Sequence, residues 1–187
     1  MITPIIETDR IILRPLKVAD AEVVYNSWTS DPDVAKYMNW NLHRSVDDTI
    51  EWLSAEEKNV LTDTNYTWGF VLKENNNLFG SGGINYNQDY EMFELGYNIM
   101  KRYWNRGLTT EAAKAIIGFA VQKLGINFFL GRHAIENQPS GKVLEKLGFR
   151  FQRDAMCSSF DGKRTFKSRE YLWSSASAEL KTAATKS

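Results

Sequence analysis

The order of apolar patterns in this chain predicts a mixed α/β domain, with several strands first and helices entering between the later ones. Three observations predict it. Residues 66–73, 78–87 and 92–99 read as consecutive strands, separated by turns at residues 74–77 and 88–90. Ala113, Ile116, Ile117, Ala120, Val121 and Leu124 then recur at a period near 3.6, the mark of an amphipathic helix. Residues 128–135 return to strand character, and Pro139 sits where it would open a second helix.

Taken in order, residues 11–16 (IILRPL) have strand character. Asp20 is a natural N-cap for a helix that runs through the i,i+4 apolar pair Val24 and Trp28. Residues 37–41 form an aromatic loop. Ser45 and Asp48 have the spacing of a capping box, with Asp in place of Glu, ahead of Ile50 and Leu53. In the third strand of the sheet Leu95, Tyr97 and Ile99 share one face, and Glu94, Gly96 and Asn98 the other. Gly125 is the expected C′ residue of the following helix, and Gly148 ends the helix opened by Pro139. Residues 164–174 form a final strand. The domain is expected to span residues 1–174, and residues 175–187 are a small, polar tail expected to fray.

Composition narrows the function. A length of 187 residues suits one domain with a sizeable core. Lys plus Arg and Asp plus Glu both number 23, so net charge points to no nucleic-acid or anionic-membrane partner. Basic residues gather only near 150–153 and 163–169. With Cys157 as the one cysteine, an intramolecular disulfide is excluded and a reducing compartment is expected. His43 and His133 add little toward a zinc site and read as ordinary histidines, so no metal is expected. No apolar run approaches a bilayer span, and MITPIIETDR lacks the pattern of a signal peptide. A soluble, cytoplasmic protein, monomer or homodimer, is the expectation.

The chemistry concentrates between residues 94 and 149. Asn105, Arg106, Gly107, Leu108, Thr109 and Thr110 form a turn that opens directly onto the amphipathic helix. The first N–H groups of a helix have no internal acceptor and carry the positive end of its dipole, so this junction is an anion cradle. Arg106 adds charge, and Gly107 allows close backbone approach. It lacks GxGxxG and Gly-Lys-Ser/Thr, so it is neither a Rossmann nor a Walker loop. Asn137 is placed to cap the last helix, with Ser140 in its first turn. Glu94 reads either as a salt-bridged surface carboxylate or as a general base, with Glu91 and Asp89 as weaker alternatives. Tyr37, Trp40, Trp68 and Tyr86 are candidates to line a substrate pocket, or else belong to the core.

These residues resemble the GCN5-related N-acetyltransferases, in the branch of the ribosomal-protein acetyltransferases RimJ and RimL. Residues 104–109 match the helix-opening fingerprint, and Thr110-Glu111-Ala112 follows as in that branch. Asn137 and Ser140, followed by Val143-Leu144-Glu145-Lys146-Leu147-Gly148-Phe149, are similar to its second motif. The opening at residues 7–16 is of the same type. Trp104 stands where the family has Gln or Arg, Thr109 where it has Gly or Ala, and Leu144 where many members have a tyrosine. The resemblance implies a sheet splayed between two parallel strands, with acetyl-CoA as the acetyl donor. It implies that residues 105–110 hold the diphosphate and Asn137 the pantetheine arm. Ser140 then serves the leaving thiolate, and a backbone N–H near Ile99 or Met100 the carbonyl oxygen. The acceptor is a primary amine, either a small molecule or a protein N-terminus. A non-catalytic acetyl-CoA sensor is the alternative.

Overall fold

The structure is a computed structural model, and it describes residues 2–176. The polar tail expected from residue 175 falls outside the described residues except for its first two positions. One eight-stranded sheet organises the chain. Its strands are β1 (Ile6–Glu7), β2 (Ile11–Arg14), β3 (Asn65–Leu72), β4 (Leu78–Asn87), β5 (Met92–Ile99), β6 (Phe128–Ala134), β7 (Arg150–Ser158) and β8 (Thr165–Ser174). The spatial order is β1-β2-β3-β4-β5-β6-β8-β7, and only β5 and β6 run parallel. The helices are α1 (Ala21–Val24), α2 (Pro32–Ala35), α3 (Val46–Asn59), α4 (Leu108–Leu124) and α5 (Gln138–Leu147).

Local chemistry explains most boundaries. Ser45 Oγ accepts the Asp48 N–H and the Asp48 carboxylate accepts the Ser45 N–H, so α3 starts on the capping box. Gly125 and Gly148 close α4 and α5 with φ of 68° and 94°, a conformation in which a Cβ would be strained. The first helix departs from expectation. A single 3₁₀ turn at Val18–Asp20 precedes α1, and a π turn at Tyr25–Thr29 follows it. Asp20 caps nothing at α1; its carboxylate accepts the Lys17 N–H and two N–H groups of Arg14. Pairing with Arg14 at the end of β2 outcompetes the simpler cap.

Alternation along β3 splits the core in two. Trp68, Phe70 and Leu72 face α4, where they join Ala113, Ile116 and Ala120. Val71 faces the other way, joining Leu16, Val24, Trp28 and Leu53 under α1 and α3. Among the described residues, no helix is long and apolar enough to cross a membrane.

Strand β4 is threaded tightly between its neighbours, and Gly83 is the sharpest case. A Cβ there would lie 2.0 Å from the Tyr66 carbonyl oxygen, against backbone that cannot swing aside. Gly83→Ala is therefore expected to lower the thermal midpoint by about 5–10 °C, the overpacking cost for a domain of this size. A melt monitored by circular dichroism checks it.

Candidate active site

The parallel pair β5–β6 is short. It holds register from Phe93↔Phe129 to Leu95↔Gly131 and then ends, although β5 stays paired with β4 as far as Ile99 and β6 with β8 as far as Ala134. The two halves of the sheet therefore part beyond Leu95 and Gly131. A cleft of about 460 Å³ opens at the parting.

Backbone alternation determines what faces it. Met100 N–H donates to the Phe79 carbonyl at 2.8 Å, which fixes the side of β5 that serves β4. By the alternation of an antiparallel ladder, the N–H and C=O groups of Tyr97 and Ile99 aim the other way, toward the departed β6. The Ile99 carbonyl takes the Trp104 indole N–H at 3.0 Å, leaving its N–H directed into the cleft. Of the two N–H groups expected for the carbonyl oxygen, Ile99's is the one presented, and Met100's is already engaged.

The cradle follows. Asn105 and Gly107 both adopt positive φ, 60° and 75°, and this turns the chain sharply into α4. Gly107 is the N-cap and supplies no side-chain acceptor, so the first N–H groups of a 17-residue helix face the cleft uncapped. A Cβ on Gly107 would meet only an Arg10 guanidinium nitrogen, at 3.7 Å. Asn105, Arg106, Thr109 and Thr110 line the same wall, and Lys142 and Lys146 of α5 face it. Open N–H groups amid three cationic side chains suit a diphosphate. Leu108, expected in the cradle, is outside the lining, with its side chain buried in the core.

A brace outside the cleft holds the cradle. Glu111, in the first turn of α4, accepts from Thr8 Oγ1 at 2.6 Å, Arg10 N at 2.9 Å and Arg10 Nε at 2.7 Å. Arg10 Nη1 in turn donates to the Arg106 carbonyl at 3.2 Å. Burial alone would raise the Glu111 carboxyl, but the hydrogen bonds from Thr8 and Arg10 outweigh it and hold the group below its ordinary value.

Opposite the cradle lie Asn137 and Ser140 of α5 with Tyr97 of β5. Asn137 makes no side-chain cap bond, so its amide is available to the cleft. Tyr97 Oη donates to the Ser140 carbonyl at 3.0 Å and accepts from Ser140 Oγ at 3.3 Å. Burial pushes the Tyr97 phenol well up, so it stays protonated. Asp33, Val34, Tyr37 and Met38 complete the lining, with Tyr37 Oη reaching Glu136 Oε2 at 3.4 Å.

The structure thus gathers Tyr37, Ile99, Asn105, Arg106, Gly107, Thr109, Thr110, Asn137 and Ser140 around one cleft. It does not bring in the others. Glu94 stands outside the lining, with both oxygens held by Arg132 Nε and Nη2 at 2.8 and 2.7 Å and one also by Asn87 Nδ2 at 2.8 Å. Taking a proton from an amine would weaken both of its charge-assisted bonds to Arg132. Trp68 is fully buried and donates to the Pro4 carbonyl, because its position on β3 faces α4. Tyr86 lies exposed at the far end of β4 against Phe93. Trp40 packs with the α1–α3 core and against His43. Sequence reasoning missed Tyr97, placed only on the strand face it shares with Leu95 and Ile99, and Glu136, although it directly precedes Asn137.

Residues 10–150 match the family described as the acetyltransferase (GNAT) domain. The chain belongs to that family. It is 28% identical over 155 residues to an uncharacterized N-acetyltransferase, p20, of Bacillus licheniformis, covering 82% of this chain and 85% of the relative. Its fold is similar to that of a GNAT-family acetyltransferase from Bacillus anthracis, with a TM-score of 0.78 and 24% identity over 91% of this chain and 98% of that one. It is similar as well to the ribosomal-protein-S5-alanine acetyltransferase of Vibrio fischeri, with a TM-score of 0.75, 16% identity and coverage of 91% and 96%. The GNAT family generally uses acetyl-CoA as co-substrate and acts on amines.

Two outcomes test this site. Proline cannot adopt the φ of 75° found at Gly107, so Gly107→Pro is expected to abolish acetyl-CoA binding by calorimetry in a folded protein. Binding retained would put the cradle elsewhere. The second concerns the brace. A carboxyl held below its unfolded value stabilises fully above that value, and the contribution fades as pH falls through the folded one. Glu111→Gln should therefore lower the thermal midpoint at pH 7. It should also flatten its decline on acidification below about pH 4.3, the ordinary glutamate value.

Proposed function

We propose that this acetyltransferase is an acetyl-CoA-dependent N-acetyltransferase in which a primary amine attacks the acetyl group directly, with both substrates bound together. The observation that carries the reading is the uncapped start of α4, open to a cleft formed where β5 and β6 part. Acetyl-CoA supplies the acetyl group as a thioester. The backbone N–H groups at residues 107–110, with Arg106, Lys142 and Lys146, hold its diphosphate, and the Asn137 amide holds the pantetheine arm. Ile99 N–H is aimed to donate to the carbonyl oxygen as charge gathers there; a preorganised donor of this kind is worth about 3 kcal/mol. Ser140 Oγ, once its hydroxyl turns from Tyr97 Oη, donates toward the departing sulfur; the Tyr97 phenol, its own proton on the Ser140 carbonyl, holds the start of α5 beside β5.

An ammonium has no lone pair, so a proton acceptor is required. Asp33 and Glu136 are the carboxylates that line the cleft. Lys101, hydrogen-bonded to Asp33, holds that carboxyl below its ordinary value. Among the described residues Glu136 has the long Tyr37 hydrogen bond and no ion pair, and we assign it the proton. Glu94 is reassigned to holding Arg132.

The acceptor is an α-amine of a protein N-terminus or a small primary amine. The motifs at residues 7–16 and 104–112 favour the ribosomal-protein branch. The likeness to the Vibrio fischeri enzyme is compatible with it and bears on fold alone.

Calorimetric titration with acetyl-CoA, with desulfo-CoA and ATP as controls, tests the donor. Both coenzyme A compounds are expected to saturate and ATP to give no heat. Binding without acetyl transfer to any of a broad set of amines would instead indicate a sensor. For the base, Glu136→Gln is expected to lower kcat/KM by about 10²–10⁴-fold. Glu94→Gln should leave kcat/KM within about threefold and lower the thermal midpoint. The reverse pattern would return the role to Glu94.

A further inference from the structure

Arg164 makes an unusual set of contacts. It ends the turn between β7 and β8, yet its guanidinium reaches a loop more than a hundred residues earlier in the chain. Nη1 donates to the carbonyls of Ala35 and Lys36, both at 3.4 Å, and Nη2 to those of Met38 at 3.0 Å and Trp40 at 2.7 Å. Beside it, Phe160 N–H donates to the Asn39 carbonyl at 2.7 Å. Of the six successive residues 35–40, all but Tyr37 thus have their carbonyls tied to one hairpin tip.

The tip itself is firmly built. Ser159 Oγ accepts the Arg164 N–H at 3.0 Å and donates to Asp161 Oδ1 at 2.6 Å. Ser159 N–H closes the hairpin on the Arg164 carbonyl at 2.9 Å, and Lys163 N–H donates to Asp161 at 3.1 Å. The loop it grips has little of its own. After α2, Met38 N–H returns to the Ala35 carbonyl, and His43 N–H reaches Thr29. The planar fork of a guanidinium can serve several carbonyls at once, which a lysine ammonium on a flexible stem cannot reproduce.

The gripped segment carries Tyr37 and Met38, which line the cleft, and Tyr37 hydrogen-bonds Glu136 there. We propose that Arg164 is a positioning residue for the acceptor amine. By clasping residues 35–40 it fixes the wall formed by Tyr37 and Met38, and with it the distance from that wall to the Glu136 carboxylate. This rests on the reading of the cleft as an N-acetyltransferase site whose amine enters beside that wall. Arg164 touches none of the cradle, so it bears on the amine and not on acetyl-CoA.

The test uses Arg164→Lys and Arg164→Ala in the full chain. The probes are acetyl-CoA in calorimetry, and tyramine and Ala- and Ser-initiated hexapeptides as acceptors. Amide hydrogen exchange across residues 33–43 supplies a readout independent of turnover. Both variants are expected to bind acetyl-CoA within about twofold of the parent, and their exchange should rise selectively in this segment. KM for the best acceptor should increase at least tenfold, with kcat changed far less, and lysine should fail to rescue it. Unchanged exchange in this segment, or an unchanged acceptor KM, would overturn the proposal. Equal loosening everywhere with loss of acetyl-CoA binding would also overturn it, by reducing Arg164 to a general stabiliser. If the parent acetylates none of the probes, the enzymatic reading is what fails, and the exchange result still decides whether the clasp exists.

Discussion

The parting of β5 from β6 is the constraint on which the rest of this molecule depends. A sheet that stayed closed would satisfy its own backbone groups and leave no cleft. Here the parallel ladder ends after Leu95 and Gly131, and Arg132, the next residue on β6, reaches back to grip Glu94 with two hydrogen bonds. That ion pair stands at the point of divergence. Glu94 beside it keeps Arg132 firmly charged against the effect of burial. The pair is only partly buried, and breaking it would still leave either partner with a poorly compensated charge.

The same row of charge continues across the sheet. Glu170 of β8 stands opposite both Arg132 and Arg153 in the strand register, accepts from Arg153 Nε at 2.7 Å and is hydrogen-bonded by Tyr90. Acid and base therefore alternate over β5, β6, β8 and β7 on one face. This knits the half of the sheet beyond the opening to the half before it. On the other face the work is apolar, with Leu144 and Phe149 against Gly131, where a Cβ would come within 2.8 Å of Leu144. The cleft can stay open because the strands on both sides of it are pinned independently.

Two further ties set the walls of the cleft, and both come from distant sequence. Glu111 and Arg10 brace the cradle from outside, and the Trp104 indole anchors the preceding turn on the last carbonyl of β5. That indole bond gives a physical reason for a tryptophan where Gln or Arg was expected. The hairpin after β7 holds residues 35–40. The turn into α4 and the segment at residues 35–40 are thus held by separate hydrogen-bond systems.

What the sequence determined by itself was local. The capping box at Ser45, the left-handed glycines at 125 and 148, the alternation of the middle strands and the glycine turn into α4 are all written within a few residues, because each is a contest among near neighbours. Short-range patterns also named the cradle and the pair Asn137 and Ser140. What only the tertiary structure decided was which side chains meet. Glu94 finds Arg132 at 38 residues' remove and Tyr97 finds Ser140 at 43, and no periodicity carries that information. An aromatic on a strand looks the same in sequence whether its face meets a helix, as at Trp68, or solvent, as at Tyr86. Strand partners, register and the place where a ladder ends settle those facings, and they follow from packing the whole chain at once.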